Sequence, residues 1–300
     1  MNSFHSRFNR LLVVGCNGQL GQDMVLSAQR AAAHVTGLDI PNIDITDLES
    51  TAEAVDKTAP GLIINCAAYA AVDACEVHRD EAFAVNDTGT KNLARCARDA
   101  GVPLVHISTD YVFDGTRDRP YIETDQPGPK TAYGASKLAG ERGIEESMDS
   151  YFIFRIAWLY GNRGKNFVKT ITKLAQNRRK EQTPLRVVND QRGSPTYTME
   201  VCRQILTAVQ TGKYGLYHCT AEGSCTWYEF ACHVLRQYGI STPVEPCTTE
   251  EFPRPAQRPA NSVLENAGLK KLGVHHMKSW NDAFSEFLTE ERQIQKGLQQ

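Results

Sequence analysis

Tyr133 and Lys137 stand four residues apart in Tyr133-Gly134-Ala135-Ser136-Lys137, a spacing that sets both side chains on one face of a helix. A free phenol has a pKa of about 10 and is almost wholly protonated at neutral pH. A nearby ammonium stabilises the phenolate and lowers that value. The pair therefore predicts proton exchange with a carbonyl or alcohol oxygen, with Tyr133 as the exchanging group and Lys137 tuning it. A chance Y-x-x-x-K on a half-buried surface helix is the plain alternative, and by itself it would win. Ser108-Thr109-Asp110-Tyr111 closes an apolar run. Strand carboxyl ends border the ligand crevice of an open parallel sheet. Thr109 is thus placed to offer its hydroxyl to a substrate oxygen, or else simply to cap the loop that follows.

What gives the Tyr–Lys pair its weight is an earlier turn, Gly15-Cys16-Asn17-Gly18-Gln19-Leu20-Gly21. It follows one apolar run and opens a helical stretch. Glycine is required where a backbone turns tightly, where it approaches a pyrophosphate, and where a helix packs close on a strand. A helix start also offers free N–H groups and the positive end of its dipole. Strand, turn and helix together predict a dinucleotide site, with Lys137 in reach of a nicotinamide ribose. Asp39 ends the next strand, where such folds set a carboxylate on the adenosine ribose. There it would favour NAD over NADP, and Ile40-Pro41-Asn42 supplies no cation for a 2′-phosphate. A solvated turn aspartate is an equally good reading of Asp39. Asp44 and Ile45 could border the adenine.

The elements that must hold these groups follow from the apolar pattern. Leu11–Val14, His34–Asp39, Leu62–Cys66, Leu104–Ser108 and Tyr151–Arg155 read as strands. Gln19–Ala33, Asp80–Ala100 and Thr131–Gly143 read as helices. Continuous apolar strands separated by helices predict a parallel sheet covered on both faces. Beyond Gly161 the rhythm loosens. Asn166–Asn177 and Thr198–Gln210 read as helices, and Leu185–Val188 and Leu216–Cys219 as strands. The proline-rich segment Glu245–Pro259 reads as an extended arm. The polar tail from Glu290 is expected to fray.

Three hundred residues exceed one comfortable core and suit two. Lys and Arg total 33 against 35 Asp and Glu, for a net charge of -2. That balance argues against a nucleic-acid binder, while leaving room for a local basic pocket. Met1–Arg10 is polar, and no apolar stretch of signal-peptide length follows it, against a secretory signal. The apolar runs are too short to span a bilayer, so a cytoplasmic protein is expected. Nine scattered cysteines read as reduced, mostly buried thiols. Cys219, Cys225, Cys232 and His233 lie nearest one another but lack metal-ligand spacing.

Taken together, the residues resemble the extended short-chain dehydrogenase/reductase superfamily, and within it the dTDP-4-dehydrorhamnose reductase family. The resemblance runs from about Leu11 to Leu264. It is carried by Asn65-Cys66-Ala67-Ala68-Tyr69, Ala84-Val85-Asn86 and Ser108-Thr109-Asp110-Tyr111-Val112-Phe113-Asp114-Gly115. Tyr133–Glu141, Arg155–Gly161, Asn189–Thr196, Thr226–Ala231 and Arg258–Leu264 complete it. The superfamily shares the glycine and Tyr–Lys motifs, whereas the runs Ser108–Gly115, Asp190–Thr196 and Arg258–Leu264 are far more restricted.

The resemblance implies an α/β fold: a Rossmann-type doubly wound parallel sheet with a smaller, discontinuous C-terminal substrate domain. Residues 1–161 and 194–220 would carry the dinucleotide, and 162–193 and 221–300 the sugar nucleotide. It implies NADPH- or NADH-dependent reduction of the C4 ketone of dTDP-6-deoxy-L-lyxo-4-hexulose to dTDP-L-rhamnose, the last step of dTDP-rhamnose biosynthesis. Tyr133 would protonate the C4 oxygen, Lys137 would tune Tyr133 and hold the ribose, and Thr109 would orient the carbonyl. Gly15, Gly18, Gln19, Leu20 and Gly21 would cradle the pyrophosphate, with Asp39, Asp44 and Ile45 at the adenosine. Ala67, Ala68 and Tyr69 would line the cofactor, Tyr111 and Trp158 the sugar, and Arg258 would take the nucleotide anion. Trp158 as ordinary core is the competing assignment. Mg²⁺ is implied for some members, and Asp23 is the one acidic residue noted for it, without a full ligand set. The chain would be a monomer or homodimer binding a dTDP-sugar, with no nucleic acid and no membrane. Two rivals share the fold. A 4,6-dehydratase or 4-epimerase is disfavoured by Tyr111, which stands where a dehydratase has its glutamate. A non-catalytic module like the methionine adenosyltransferase regulatory subunit is disfavoured by the intact Thr109, Tyr133 and Lys137.

Overall fold

The computed structural model describes residues 8–31 and 34–297. In chain order its first half comprises β1 (Arg10–Val14), α1 (Gln19–Arg30), β2 (His34–Leu38), α2 (Leu48–Thr58), β3 (Leu62–Asn65), α3 (Val72–Val77), α4 (Arg79–Phe83), α5 (Gly89–Asp99), β4 (Leu104–Thr109), α6 (Ala132–Ser147) and β5 (Tyr151–Ile156). The second half adds β6 (Leu159–Tyr160), α7 (Phe167–Glu181), β7 (Leu185–Val188), β8 (Arg192–Gly193), β9 (Thr196–Tyr197), α8 (Thr198–Val209), β10 (Gly215–His218), β11 (Cys225–Thr226), α9 (Trp227–Gln237), β12 (Val244–Cys247), α10 (Ala267–Lys271) and α11 (Trp280–Gly297).

Six strands form one sheet in the order β10-β5-β4-β3-β1-β2, every neighbour parallel. Alternation along β1 shows why residues 11–14 are all apolar. Leu11 and Val13 join the core shared with α1 and α8, while Leu12 and Val14 join the opposite core with α2 and α5. The chain leaves β1 for β2 on one side and returns to β3 on the other. That reversal opens a crevice at the carboxyl ends of β1 and β3.

The predicted 80–100 helix is interrupted. A π-helical turn, Ala84–Thr88, separates α4 from α5 and carries the buried Asn86. Helix α6 starts where Thr131 accepts the Gly134 N–H at 3.0 Å, and it runs four residues past the predicted end at Gly143. Helix α1 stops at Arg30; the predicted continuation through Ala32 and Ala33 lies outside the described residues.

A second core gathers α7, β7, α9 and α11 around Tyr160, Tyr197, Phe230, Phe284 and Phe287. Helix α9 went unpredicted although its capping box is written in the sequence. Thr226 accepts from Glu229 N, and Glu229 accepts from Thr226 N. The tail does not fray from Glu290. It continues helical to Gly297 because Glu290 accepts the Tyr197 hydroxyl and Glu291 the Tyr238 hydroxyl; residues 298–300 lie outside the described set. The proline-rich arm contributes β12, paired in parallel with β7, and is otherwise free of helix. It then returns to the sheet side, where Asn261 bridges to Arg192 and Leu264 to Tyr121. Leu269 and Met277 beyond it pack into the sheet core. No described helix is long and apolar enough to cross a membrane.

Candidate active site

Backbone crowding at the switch point explains the glycines. Gly15 has φ +76°, and a Cβ there would sit 2.5 Å from the Ala67 nitrogen. A Cβ on Gly21 would lie 2.0 Å from the Gly15 carbonyl oxygen, which is how α1 comes so close to the turn. Gly18 caps α1 without any side-chain hydrogen bond, and no acidic residue occupies the first turn. The first N–H groups of α1 are thus left without a side-chain acceptor at the crevice, the environment a diphosphate requires. A cavity of about 250 Å³ beside the turn is lined by Gly15, Gly18, Asp39, Asp44, Ile45, Ala67, Ala68 and Tyr69. This donor set and shape fit an adenosine dinucleotide.

Several of these residues have structural duties too. Asp39 accepts from the Asn17 and Ile40 amides, both at 2.9 Å, so its carboxylate anchors the glycine turn. Asp44 accepts from the Thr46 amide and hydroxyl, and Ile45 is buried over Gly89. Tyr69 is pinned through its backbone: Asn86 Oδ1 accepts its N–H at 2.9 Å and Asn86 Nδ2 donates to its carbonyl at 3.1 Å. The Gln19 amide is turned to the 163–166 loop, with the Arg163 and Lys165 carbonyl oxygens 3.2 and 3.1 Å away.

A larger cavity of about 440 Å³ continues from the turn along the ends of β4 and β5. Thr109, Tyr133 and Lys137 all line it, together with Gly18, Gln19, Leu20, Ala68, Tyr111 and Trp158. The Thr109 hydroxyl donates to Asp110 Oδ1 at 2.9 Å and accepts the Tyr111 N–H at 3.2 Å, so Thr109 is a cap as well as a cavity residue. Lys137 is 1 % exposed, and its Nζ lies 3.0 Å from His106 Nε2. Burial pushes the Tyr133 phenol well above its usual value, with the Thr109 hydroxyl pulling the other way. Burial also pulls Lys137 down to about 8, opposed by Glu141 and then Cys66. The expected lowering of the Tyr133 pKa by an ammonium is therefore not found in this site: burial dominates, and Lys137 is not among the groups that act on the phenol. Asp110 is pushed up to about 6 by burial, against hydrogen bonds from Ser262 and Thr109, and its Oδ2 has no partner.

Arg258 comes from the proline-rich arm and meets Tyr111 and Asp73. It donates to the Tyr111 hydroxyl at 2.9 Å and pairs with Asp73 Oδ1 at 2.8 Å. Tyr111 and Arg258 border two more cavities, of about 140 and 420 Å³. The larger carries the apolar walls Phe167, Ile171 and Trp227 with Arg186 and Arg254, a mixture suited to a base and a diphosphate. Trp158 is not core. It holds φ +47°, stacks on Trp227 with centroids 3.4 Å apart, and donates to Ser262 Oγ at 3.1 Å. A Cβ on Gly193 would lie 2.2 Å from that indole, so the glycine makes room for the ring.

The structure thus gathers the predicted residues along one crevice, Gly21 contributing through packing. Asp23 is different. It is fully buried, pairs with Arg163 at 2.7 Å and accepts the Thr198 hydroxyl at 2.5 Å, so each of its oxygens already has a partner. Among the described residues no group of three or more His, Cys, Asp or Glu is arranged to hold a metal ion. Cys219 packs on Met277, and His233 sits edge-on to Trp280 and Phe284. Sequence reasoning missed His106, Asn65, Asp73 and Trp227. His106 lay inside a predicted strand, and nothing local marks a strand histidine as facing a lysine.

The chain matches the family described as RmlD substrate binding domain over residues 9–293. It is 39% identical over 284 residues to dTDP-4-dehydrorhamnose reductase of Streptomyces griseus, covering 92% of each chain. A crystal structure of a dTDP-4-dehydrorhamnose reductase from Clostridium acetobutylicum is 41% identical with a TM-score of 0.91, covering 94% of this chain and 99% of that one. That of the Bacillus anthracis dTDP-4-dehydrorhamnose reductase, in complex with NADP, is 39% identical with a TM-score of 0.90 and the same coverage.

Proposed function

This chain belongs to the RmlD substrate-binding domain family, and from that premise we propose that it is the dTDP-4-dehydrorhamnose reductase of its source, reducing the C4 ketone of dTDP-6-deoxy-L-lyxo-4-hexulose to dTDP-L-rhamnose. One observation carries the reading: the phenol, amine and hydroxyl of Tyr133, Lys137 and Thr109 open into the same cavity as the glycine turn. A reduced nicotinamide bound there supplies hydride to the carbonyl carbon.

The protein's own groups do the rest. Gln19 and Leu20, at the start of α1, bring backbone N–H groups to the diphosphate; Gly15, Gly18 and Gly21 keep the turn tight beneath it, and the Gln19 side chain fixes the loop above. Ala67, Ala68 and Tyr69 line the cofactor, and Asp44 and Ile45 flank the adenosine side. Asp39 stands at the ribose end and weighs against a 2′-phosphate, so NADH as well as NADPH is expected to serve. The Thr109 hydroxyl, on turning its hydrogen from Asp110, donates to the ketone oxygen, and Tyr133 gives that oxygen its proton. A high phenol pKa before substrate binds keeps Tyr133 in its acid form. Lys137 sits one helical turn along, where its charge would stabilise the phenolate left behind. Tyr111 and Trp158 bound the hexose, and Arg258 receives the diphosphate. Residues 1–161 and 194–220 form the cofactor part and 162–193 and 221–300 the sugar-nucleotide part; the separate aromatic core around Phe230 and Phe284 supports that division. Nine free thiols suit a reducing compartment, and we place the reaction in the cytoplasm.

The test is NADPH and NADH oxidation with the 4-keto sugar nucleotide, with and without Mg²⁺. Turnover is expected with the parent protein, and a loss of at least a hundredfold in kcat with unchanged NADPH affinity in Tyr133→Phe, about the size general acid catalysis supplies. No turnover with either cofactor overturns the function, and full activity in Tyr133→Phe overturns the acid assignment.

A further inference from the structure

The catalytic lysine is not held by a carboxylate. It faces a histidine, and the protons along that contact can be counted. Ala67 N–H donates to Asn65 Oδ1 at 3.0 Å, which fixes which end of the Asn65 amide faces inward. Asn65 Nδ2 then faces His106 Nδ1 at 3.2 Å, so Nδ1 must accept. A neutral imidazole that accepts at Nδ1 carries its proton on Nε2. That proton points at Lys137 Nζ, 3.0 Å away, and an ammonium has no lone pair to receive it.

We propose that His106 is a positioning residue for the reaction: its Nε2–H donates to the Lys137 amine, so in alkaline solution the free protein holds Lys137 uncharged and Lys137 takes up one proton from solvent when an anionic ligand enters the crevice. The inference rests on the proposed function for its catalytic meaning, but not for its geometry.

Every donor in the chain points the same way, from a backbone amide that lines the cofactor cavity to the amine. To carry a charge, Lys137 needs His106 in the other tautomer. Asn65 must then turn its oxygen inward and abandon the Ala67 N–H. Asn65, His106 and Lys137 are each 0–1 % exposed, so water cannot relieve the mismatch. The other titratable groups nearby are already committed. Glu141, on the same helix, is bound by Arg155 of β5 at 2.9 and 2.6 Å. Cys66 after β3 is held as a thiol, pushed up to about 12 by burial. Asp110 after β4 accepts from Thr109. From the π-helical turn, Asp87 pairs with Lys91 of α5; from α3, Glu76 accepts the Ala132 N–H. His106 itself is pulled far below the usual range by burial and then by Lys137, and so does not compete as a cation.

The test begins with the ligand-free protein. Nitrogen NMR of histidine-labelled protein at about pH 9.5, above the Lys137 titration, should find His106 neutral with its proton on Nε2. An Nδ1–H tautomer or an imidazolium overturns the proposal. Lysine-labelled protein, with Lys137→Met to assign the signal, should show Lys137 titrating near 8. In His106→Gln, whose carbonyl can accept from an ammonium, that titration should move up by about one pH unit or more, tenfold in acidity; an unmoved titration overturns it. Finally, NADPH binding at pH 9, followed by calorimetry in two buffers of different ionisation enthalpy, should take up close to one proton in the parent protein and clearly less in His106→Gln. NADPH binding without proton uptake overturns the proposal. Failure to bind NADPH at all would instead refute the dinucleotide site, leaving the tautomer to be judged by NMR.

Discussion

Asp110→Asn should stabilise this protein, and only above a particular pH. The Asp110 carboxyl is buried beside Thr109, and its Oδ2 meets no donor. Burial raises it from 3.8 to about 6. Between those values the folded chain holds a proton that the unfolded chain has released. Stability from this group is therefore complete below about pH 4 and is lost as pH rises through about 6. At about 1.4 kcal/mol for each pH unit, the loss comes to about 3 kcal/mol. Asparagine keeps an oxygen for the Thr109 hydroxyl and cannot ionise. Parent and variant should differ little at pH 4, and the variant should gain about 2–3 kcal/mol by pH 8. Urea unfolding of both proteins at several pH values measures this, the parent-to-variant difference cancelling every other titrating group. A difference that is flat from pH 4 to pH 8 would refute the reasoning. That the chain retains so costly a carboxyl in the cavity of Thr109 and Tyr133 fits the usual exchange of stability for function.

Asp39→Ala should raise the ratio of kcat/KM for NADPH over that for NADH several-fold, while loosening the turn it anchors; an unchanged ratio refutes the ribose contact. Gly21→Ala places a Cβ 2.0 Å from a backbone oxygen that cannot swing aside, so NADPH affinity should fall at least tenfold, about 1.4 kcal/mol by titration. An unaltered Kd would show that α1 can retreat. Glu141→Gln leaves Arg155 buried without its counter-charge and turns an amide donor toward Arg155 or Ser108, where the carboxylate had an acceptor for each. A loss of about 3–5 kcal/mol is expected, and an unchanged unfolding midpoint would contradict it.

The first half of the fold was legible because its strands are buried on both faces. Leu11–Val14, Leu62–Ile64 and Leu104–Val105 had no polar alternation to blur them. Glycine spacing announced the turn because steric demands at Gly15 and Gly21 admit no other side chain. The Tyr133–Lys137 pair was visible because both lie on one helix. What stayed hidden depends on distance along the chain. Asp73 and Arg258 meet although they stand 185 positions apart in sequence, and Trp158 meets Trp227 and Ser262 only in the folded chain. The helical tail is a similar case: Glu290 looks like solvated surface until Tyr197 arrives beside it. The π-helical turn at Asn86 leaves no periodicity signal, since five residues cannot establish one.

Arg258 already has an internal competitor for any phosphate that reaches it. Its guanidinium is occupied by the Asp73 carboxylate and the Tyr111 hydroxyl, so a half-buried cation is never left bare between turnovers. A nucleotide sugar arriving there would exchange one anionic neighbour for another, and the net gain would be smaller than a fresh ion pair gives. Departure is eased by the same amount, because the carboxylate waits beside the vacated position. For a catalyst whose product keeps the entire nucleotide handle of its substrate, such a built-in rival trades tightness for turnover.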